Sequence, residues 1–579
     1  MSLSGFRASA LALGLAAALT GSTALASPVL IAGDGSEKVH STMVSILRKG
    51  GTSVVSVMSD YQGNLTPFSL IIAVPADVKA EQVTGLKREF IDRLDNLSAP
   101  KFAEFWEKDP CESGEAEQEW ERDLTAKAST GFLGTFETGG SQKVAKEMLM
   151  DMKAQEKTGE FVFSVFSAEE LREHLKKRDL TLPSGGDASI DEYEKAGYRF
   201  LVADVETGRV ELVGGSRAQL SPIRFVTGTD YSTIPARFGL PSAAPAQELL
   251  IFTLVPEQRM QVKNYPTMAA PTNLSVDFEV KERMGEFYGA LHDRFLEKNP
   301  GTFLLEYAFP SWDCGKPCPN EPLLPHELLS LGGDAVDAKL PESERRPAPP
   351  AETEEEEAKL KAMLEGKTPK EKKEIEKQWK ADREELAARK ALLARHKYIV
   401  SRLHYRYGSA ALPKDPTLGA GGTVEGGVKL PAGELGAADP SVTPASANAF
   451  QTRYNHVHPD ISVINCEQPV RYRWGKAPRT YRGLNKIWVA EDLSRKKRDK
   501  IKVDEVVQTP VPDLGIPGKG KAGNTSGPVE AQAEHSATTK EGTCGCHAVG
   551  IRPERGGALA LFGLLFAALG RLALRRARS

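Results

Sequence analysis

Short apolar runs bounded by turn residues predict the strands of a folded body. Runs of about four to eight residues rich in Val, Ile, Leu and Phe are typical of buried strands. The clearest of these runs are 52–57, 68–74, 161–166, 200–205 and 249–255. The segment from Tyr398 to Tyr405 has the same character, so a late strand is expected to rejoin the body.

Apolar residues spaced three or four positions apart predict amphipathic helices between these strands. One such helical face is formed by Val83, Leu86, Phe90 and Leu94. Another is formed by Met284, Phe287, Leu291 and Phe295. Ser167 with Glu170 three residues later makes a capping box, which predicts the start of a helix there. Because helices and strands do not alternate strictly, the pattern predicts an α+β fold, a mixed-strand body with packed helices.

A charged segment, residues 341–396, interrupts this body and is predicted to be a helical insertion. It opens with a proline-rich stretch and the four glutamates 354–357. Thr368, Pro369 and Glu371 then supply an N-cap, a proline at the first helical position and a capping-box glutamate. A thin apolar stripe follows at Ile375, Trp379, Leu386 and Leu393. We expect exposed helices that pack on the body along one narrow face; a helix that binds a partner protein is the alternative.

The N-terminal residues have the pattern of an export signal. Arg7 precedes a short apolar run, Leu11 to Leu19, and small residues follow up to Ser27. The run is too short to cross a bilayer stably, so residues 1–26 are predicted to be a signal peptide cleaved after Ala26.

The C-terminal residues 544–579 are predicted to be a sorting or transmembrane tail. An apolar run from Gly556 to Leu574 is interrupted by Arg571 and followed by Arg575 and Arg576. The run is slightly shorter than the roughly 20 residues of a comfortable crossing, and snorkelling by Arg571 would let it span a membrane as a hydrophobic helix. A buried core helix is the alternative.

Cys544-Gly545-Cys546, the glycine-led apolar run and the closing arginines resemble the myxobacterial sorting signal called MYXO-CTERM. That resemblance implies recognition by a sorting machinery, modification of Cys544 or Cys546 by a surface anchor, and removal of the apolar tail. The two cysteines could instead bond to each other or stay free.

Composition divides the remaining chain. Residues 506–543 are rich in Pro, Gly, Ser, Thr and Ala, which predicts a disordered linker, because such a segment buries too little apolar surface to offset its ordering entropy. The exported body is thus expected in two parts, residues 27–340 and 397–505, on either side of the insertion. The net charge of −3 over 579 residues gives no reason to expect nucleic acid as a partner.

Four cysteines remain in the predicted exported body: Cys111, Cys314, Cys318 and Cys466. In an oxidising compartment they indicate two disulfides, with three possible connectivities. Cys314 and Cys318 could close a local loop through the Gly and Pro between them, or each could pair with one of the two distant cysteines. A zinc site built from all four is the rival interpretation.

The candidate chemistry of the body is sparse. His456, His458 and Asp460 are weak candidates for a metal site, because alternate residues of a strand point to the same side. His404 is conceivable as a further ligand. The glycine-rich segment 515–522 lacks the Ser or Thr and the flanking elements of a phosphate loop. We therefore predict no catalytic residues, no cofactor and no firmly assigned metal.

The body resembles the family known as domain of unknown function 2330, from about residue 40 to 475 apart from the insertion. The likeness rests on ordered segments, among them Met58–Gly63, Leu220–Phe225, Ile234–Gly239, Ser401–His404 and Phe450–Tyr454. Members of that family tend to begin with adjacent cysteines after the signal, which Ser27–Leu30 lacks. Since the family has no known activity, the resemblance implies topology rather than chemistry.

These observations favour an exported protein of the cell envelope or cell surface, anchored to the membrane by its tail. A non-enzymatic binding or structural role fits best, with an unknown surface protein or glycan as partner. Exposed aromatic residues such as Tyr61, Trp106 and Trp474 could line a binding groove. The alternatives are a cell-surface hydrolase assisted by a metal at the histidine pair, and partner recruitment by the insertion.

Overall fold

The computed structural model describes residues 27–111, 160–210, 212, 216–312, 322–407, 412–434, 436–475 and 501–519. The strands of this part of the chain are β1 (Val29–Ala32), β2 (Val39–Lys49), β3 (Thr52–Gln62), β4 (Ser69–Pro75), β5 (Val83–Gly85), β6 (Lys101–Glu107), β7 (Phe161–Phe166), β8 (Tyr198–Val205), β9 (Arg217–Gln219), β10 (Ile223–Thr227), β11 (Ala243–Val255), β12 (Met260–Val262), β13 (Thr267–Ala269), β14 (Leu274–Ser275), β15 (Phe303–Pro310), β16 (Ile399–Tyr407), β17 (Leu418–Ala420), β18 (Val424–Gly426), β19 (Thr443–Pro444), β20 (Ala449–Gln451), β21 (Arg453–His458) and β22 (Trp474–Gly475). Its helices are α1 (Arg88–Ser98), α2 (Ala168–Lys177), α3 (Gly186–Lys195), α4 (Met284–Lys298), α5 (Pro325–Leu328), α6 (Asp334–Asp337), α7 (Glu342–Arg345), α8 (Glu354–Leu364), α9 (Pro369–Arg395) and α10 (Val503–Val506).

A twelve-stranded mixed sheet organises these elements. Its strand order is β19–β18–β20–β15–β16–β11–β2–β3–β10–β5, with β13 beside β15 and β9 beside β3. The β2–β3 hairpin turns at Gly50 and Gly51, which both have positive φ (57° and 69°). A two-residue turn of this kind matches the twist of the strands, and it favours glycine at both positions because both need a positive φ. β11 runs parallel to β2 and antiparallel to β16, which places β16 near the centre of the sheet.

Both faces of this central sheet are buried, because its strands carry apolar residues at consecutive positions. In β11, Leu249 and Ile251 enter one core cluster while Leu250 and Phe252 enter another. The second cluster lies under α1 and α4, whose apolar faces cover that side of the sheet. Burial of each such side chain contributes roughly 1.5–3 kcal/mol, so this double-sided packing is the main source of stability.

A second sheet, β1–β4–β8–β7, covers the other face of the central sheet. Leu70 and Ile72 of β4 point toward the central sheet, whereas Ile71 and Ala73 point away from it. The outward residues pack against α2 and α3. The resulting layers (helices, central sheet, second sheet, helices) confirm the predicted α+β class, with strands and helices that do not alternate along the chain.

Most of the predicted elements are found in the structure. The five early strands correspond to β3, β4, β7, β8 and β11, and the late strand is β16. The capping box of Ser167 and Glu170 opens α2, and that of Thr368 and Glu371 opens α9. The helical face predicted from Val83 to Leu94 is wrong at its start. Val83 lies in β5 and α1 begins only at Arg88, because Gly85 ends the strand and a short connection separates the two elements.

The segment 341–396 contains the helices α7, α8 and α9. Ala387 is the buried residue of α9, and Leu386 of the predicted apolar stripe is exposed. The base of the segment is tied to the body, because Arg395 and His396 both contact the carboxylate of Asp337 at 2.9 and 3.1 Å. The helices are therefore anchored at one end and exposed along most of their length.

The first residues of the predicted linker, 506–519, are packed against the body. Val506, Val507, Leu514 and Ile516 are buried in the cluster beneath α4, and the Gln508 amide donates to the Ser275 carbonyl at 2.8 Å. These four apolar side chains anchor a segment whose average composition is that of a linker. Residues 506–519 thus belong to the packed body, and the rest of the predicted linker lies outside the described residues.

The predicted signal peptide (residues 1–26) and the tail (544–579), with Cys544 and Cys546, also lie outside the described residues. Among the helices that are described, none has the length and apolar character needed to cross a membrane.

Cys111 and Cys466 form a disulfide that spans 355 residues of sequence, with their Cα atoms 5.5 Å apart. It joins the segment after β6 to the segment after β21, two strands that pair in parallel in a third sheet, β14–β21–β6–β22. This pairing excludes the alternative in which Cys314 and Cys318 each bond to one of the distant cysteines. Cys314 and Cys318 themselves lie outside the described residues.

We predict that Cys466→Ser lowers the free energy of unfolding by about 2–5 kcal/mol, because the bond constrains a very long loop of the unfolded chain. Urea unfolding of the purified protein measures the change. Cys546→Ser, in the C-terminal tail, is the matched control and should leave the midpoint unchanged. An unaltered midpoint in Cys466→Ser would show that the bond does not support the body.

Candidate functional site

A partly exposed cluster of aromatic and imidazole rings lies on the third sheet. We call it the imidazole patch and define it by Trp106, Phe278, His456 and His458. β21 pairs in parallel with β6, and this register sets His458 beside Trp106. The two histidines share one face of β21, as their spacing predicts, with ring centres 4.8 Å apart.

The rings of the imidazole patch are in close contact. His458 stacks on Trp106 with ring centres 4.5 Å apart, and Phe278 packs against both imidazoles. Phe278 begins a short 3-10 helix, Phe278–Lys281, beside the sheet and is 45% exposed, which is unusual for a large apolar side chain. The patch therefore presents apolar ring surface to solvent.

Polar groups surround these rings. Glu104 accepts a hydrogen bond from His458 Nε2 at 3.1 Å and pairs with Lys281 at 3.0 Å. His456 Nδ1 lies 2.9 Å from the carbonyl oxygen of Val276. Burial, together with the neighbouring His458, lowers the pKa of His456, so this imidazole is neutral near pH 7.

The structure does not assemble His456, His458 and Asp460 into a three-ligand metal site. The histidines engage the carbonyl of Val276 and the carboxylate of Glu104, as described above. The carboxylate of Asp460 accepts the Ser462 amide at 2.8 Å instead of turning toward the imidazoles. Pro459 separates the strand from this turn, so the alternation that aligns the histidines ends before it reaches Asp460.

Two of the three aromatic residues expected to line a groove are part of the interior. Tyr61 is fully buried and stacks on Phe68 with ring centres 4.1 Å apart. Trp474 is 4% exposed, and its indole N–H donates to the carbonyl of Gly433 at 2.8 Å. Trp106 alone of the three contributes to a partly exposed surface.

A second cluster of ionisable groups lies beneath α1 and α4, inside the protein. We call it the buried ionic cluster; its members are Asp95, Glu248, His292, Asp293, Glu306, Arg402, His404 and Arg406. Arg402, His404 and Arg406 alternate along β16 and therefore share one face of that strand. This is the helix-covered face, so Arg402 and His404 point into a core, and Arg406 is partly buried.

A β-bulge supplies the central carboxylate. The pairing of β15 with β16 shifts register between Leu305 and Tyr307, and Glu306 is the extra residue. Bulges re-aim the side chain of the inserted residue. Here the bulge lets Glu306 contact both Arg402 and His404, which lie on the same face of the neighbouring strand.

Arg402 is the largest fully buried side chain of the described residues. Its Nε donates to Glu306 at 2.5 Å, its Nη1 bonds the carboxylate of Asp95 on α1, and its guanidinium lies 5.3 Å from the ring centre of Phe252. Removing one partner of such a buried pair typically costs about 3–5 kcal/mol, because the other charge is left without compensation.

His404 bridges two carboxylates. Its Nδ1 lies 2.6 Å from Glu306 and its Nε2 lies 2.6 Å from Glu248. Burial alone would lower the pKa of His404, but the two carboxylates outweigh it and raise the pKa to about 9. Burial would likewise raise the pKa of Glu306, but His404 and Arg402 outweigh it and lower the pKa to about 2.

His292 of α4, in contrast to His404, is neutral and makes no hydrogen bond through its ring nitrogens. It is 1% exposed, and neither ring nitrogen has a hydrogen-bond partner. Burial, with the positive charges of His404 and Arg406, lowers its pKa well below 6.5 and keeps the ring neutral. A buried polar group without a partner costs about 1–3 kcal/mol, so this side chain calls for an explanation.

Sequence reasoning missed most of this cluster. Polar residues at alternate positions of a strand usually mark a solvent-facing side, and Arg402, His404 and Arg406 have that pattern. Their partners come from α1, β11, β15 and α4, which are distant in sequence. Of the cluster, the sequence suggests only His404 as a metal ligand, and it suggests it together with His456 and His458, which lie in the imidazole patch instead.

Residues 23–307 match the family described as "Uncharacterized protein conserved in bacteria (DUF2330)", so this part of the chain belongs to that family. The matched range is shorter than the likeness expected from the sequence, because it ends at Tyr307, just after the bulge at Glu306. No curated protein and no solved structure matches the chain.

We predict that Glu306→Gln lowers the free energy of unfolding by about 3–5 kcal/mol, because it removes the buried carboxylate that Arg402 and His404 share. Glu192→Gln is the matched control: Glu192 pairs with Arg237 at 2.7 Å on the surface, and its loss should cost no more than about 1 kcal/mol. Urea unfolding of both variants gives the comparison. Equal, small effects would contradict a structural role for the cluster.

Proposed function

We propose that this protein, which matches an uncharacterised bacterial family over residues 23–307, is exported and held at the cell surface by its C-terminal tail. We propose that it acts there as a non-enzymatic binding protein and that the imidazole patch is its ligand-binding surface. The tail would be recognised by a sorting machinery, and Cys544 or Cys546 would carry the anchor, as the resemblance to MYXO-CTERM implies.

The Cys111–Cys466 disulfide is the observation that carries the proposal of export. Disulfides between distant cysteines persist in oxidising compartments and are rare in the reducing cytosol. This bond joins residues 355 positions apart, so it closes the body as a whole rather than a local loop.

The composition of the imidazole patch supports a binding role. Apolar ring faces beside a few fixed polar groups are typical of binding surfaces for sugars and for aromatic or aliphatic side chains. In the patch, Phe278 offers exposed ring surface, and His458, which the buried Glu104 holds in place, offers a partly exposed imidazole. We favour a glycan of the cell envelope as the ligand, with a surface protein as the other candidate.

We predict that the double variant Cys544→Ser, Cys546→Ser is released from cells, because no cysteine remains to carry an anchor. Fractionation of intact cells of the native host, with added protease to test surface exposure, measures the outcome. Ser536→Ala, in the preceding segment, is the control and should stay cell-bound. Wild-type protein that resists protease in intact cells but is digested after lysis would contradict surface exposure.

We predict that Trp106→Ala lowers affinity for isolated cell-wall polysaccharide about tenfold, equivalent to about 1.4 kcal/mol, through loss of ring contact. Co-sedimentation with the insoluble polysaccharide measures the affinity. Trp312→Ala is the matched control, since Trp312 is 42% exposed and lies outside the patch. Phe278→Ala tests the same surface and keeps both rings of the Trp106–His458 stack.

Two results would contradict this assignment of the binding surface. In one, the wild-type protein does not sediment with the polysaccharide. In the other, Trp106→Ala and Phe278→Ala bind as the control does. Release of soluble sugar during the assay would favour the cell-surface hydrolase instead.

A further inference from the structure

We propose that the buried ionic cluster binds one divalent transition-metal ion, best matched by zinc, through Glu248, His292 and His404. This site is separate from the imidazole patch and does not depend on the proposed function. Its role would be structural: the metal would join β11, β16 and α4 inside the core.

The three ligand atoms already converge. One ligand atom from each of Glu248, His292 and His404 lies within 4.8 Å of the other two, and all three residues are buried. In a tetrahedral zinc site with bonds of about 2.0–2.2 Å, ligand atoms lie roughly 3.3–3.6 Å apart. Metal binding would therefore open the 2.6 Å contact between His404 and Glu248 slightly and draw His292 inward.

His292 is the residue that points to a ligand. Its ring meets that of His404 edge-on, with ring centres 4.6 Å apart, yet neither of its nitrogens has a hydrogen-bond partner. A neutral imidazole with an unused lone pair is the form in which histidine binds metals. A metal between the two rings would give this buried nitrogen a partner.

The surrounding residues support the orientation that a ligand needs. When His404 Nε2 binds the metal, its Nδ1–H still donates to Glu306 at 2.6 Å. Glu306 is in turn held by Arg402 and by the Tyr288 hydroxyl. A carboxylate that orients a metal-bound histidine from behind is a common arrangement in protein metal sites, and it raises the basicity of the ligand.

The charge of the cluster also favours a cation. Its four carboxylates, from Asp95, Glu248, Asp293 and Glu306, outnumber its two guanidinium groups, from Arg402 and Arg406. The metal would take the place of the proton between His404 Nε2 and Glu248. Two imidazoles and one carboxylate are ligands that zinc accepts.

The site is closed to solvent, since Glu248, His292 and His404 are all 4% exposed or less. The metal would therefore enter as the chain folds and leave only when it unfolds. This separates the proposed site from a surface site, which exchanges its metal freely with chelators.

To test the site, full-length protein is unfolded in denaturant with a chelator, which removes bound metal. The protein is then refolded with or without Zn²⁺ and treated with chelator under native conditions, which removes metal from surface sites. Elemental analysis should find one zinc per chain in wild-type protein refolded with Zn²⁺. His292→Leu should retain at least tenfold less zinc. It should still fold, because His292 makes no hydrogen bond, and circular dichroism checks this.

His456→Leu is the matched control and should retain zinc as the wild type does, because it alters only the imidazole patch. Co²⁺ in place of Zn²⁺ provides a second measurement, since its visible absorption reports bound imidazole and carboxylate ligands; the signal should be absent in His292→Leu. The proposal is overturned if wild-type protein retains no zinc, if His292→Leu retains as much as wild type, or if only His456→Leu loses it.

Discussion

The buried guanidinium of Arg402 is the constraint on which the rest of the structure depends. A cation inside a core must be paired, and the two carboxylates that pair with it come from a helix and a neighbouring strand, Asp95 on α1 and Glu306 on β15. His404 extends the network to Glu248 on β11. Four elements distant in sequence are thus held in one register by charge compensation, while apolar packing on either side supplies most of the stability.

The bulge at Glu306 shows how local backbone geometry serves this network. A regular strand would alternate Glu306 to the face opposite its neighbours Leu305 and Tyr307. The inserted residue breaks that alternation: Leu305 enters one core, whereas Glu306 and Tyr307 both face the other. Glu306 thus lies between the partners of His404 and Arg402 and contacts both side chains. The imidazole patch, in contrast, lies on a regular pair of strands near the disulfide, where exposed rings and partly buried polar groups suit contact with a ligand.

The sequence predicts elements better than it predicts contacts between them. Strands such as β4 and β11 and the helices α2, α4 and α9 follow from periodicity and capping residues, because those signals are local. The bulge, by contrast, has no local sequence signal. The alternation of Arg402 and His404 predicts a solvent-facing pair, because the sequence does not show that α1 and α4 cover this face. The linker is predicted to start too early for a similar reason: its average composition hides apolar residues such as Leu514 and Ile516, which pack beneath α4. The imidazole pair at His456 and His458 was predictable because strand alternation alone aligns it.

A double-mutant cycle between Arg402 and Glu306 tests the central claim most directly. The free energy of unfolding is measured for Arg402→Met, Glu306→Leu and the combined variant. Our account predicts that each single variant is strongly destabilised and that the double variant recovers about 2–3 kcal/mol of the summed loss, because the contact between Arg402 and Glu306 is lost in each single variant but only once in the double variant. Additive losses, within about 0.5 kcal/mol, would contradict the view that these two side chains act as one charge-compensated unit.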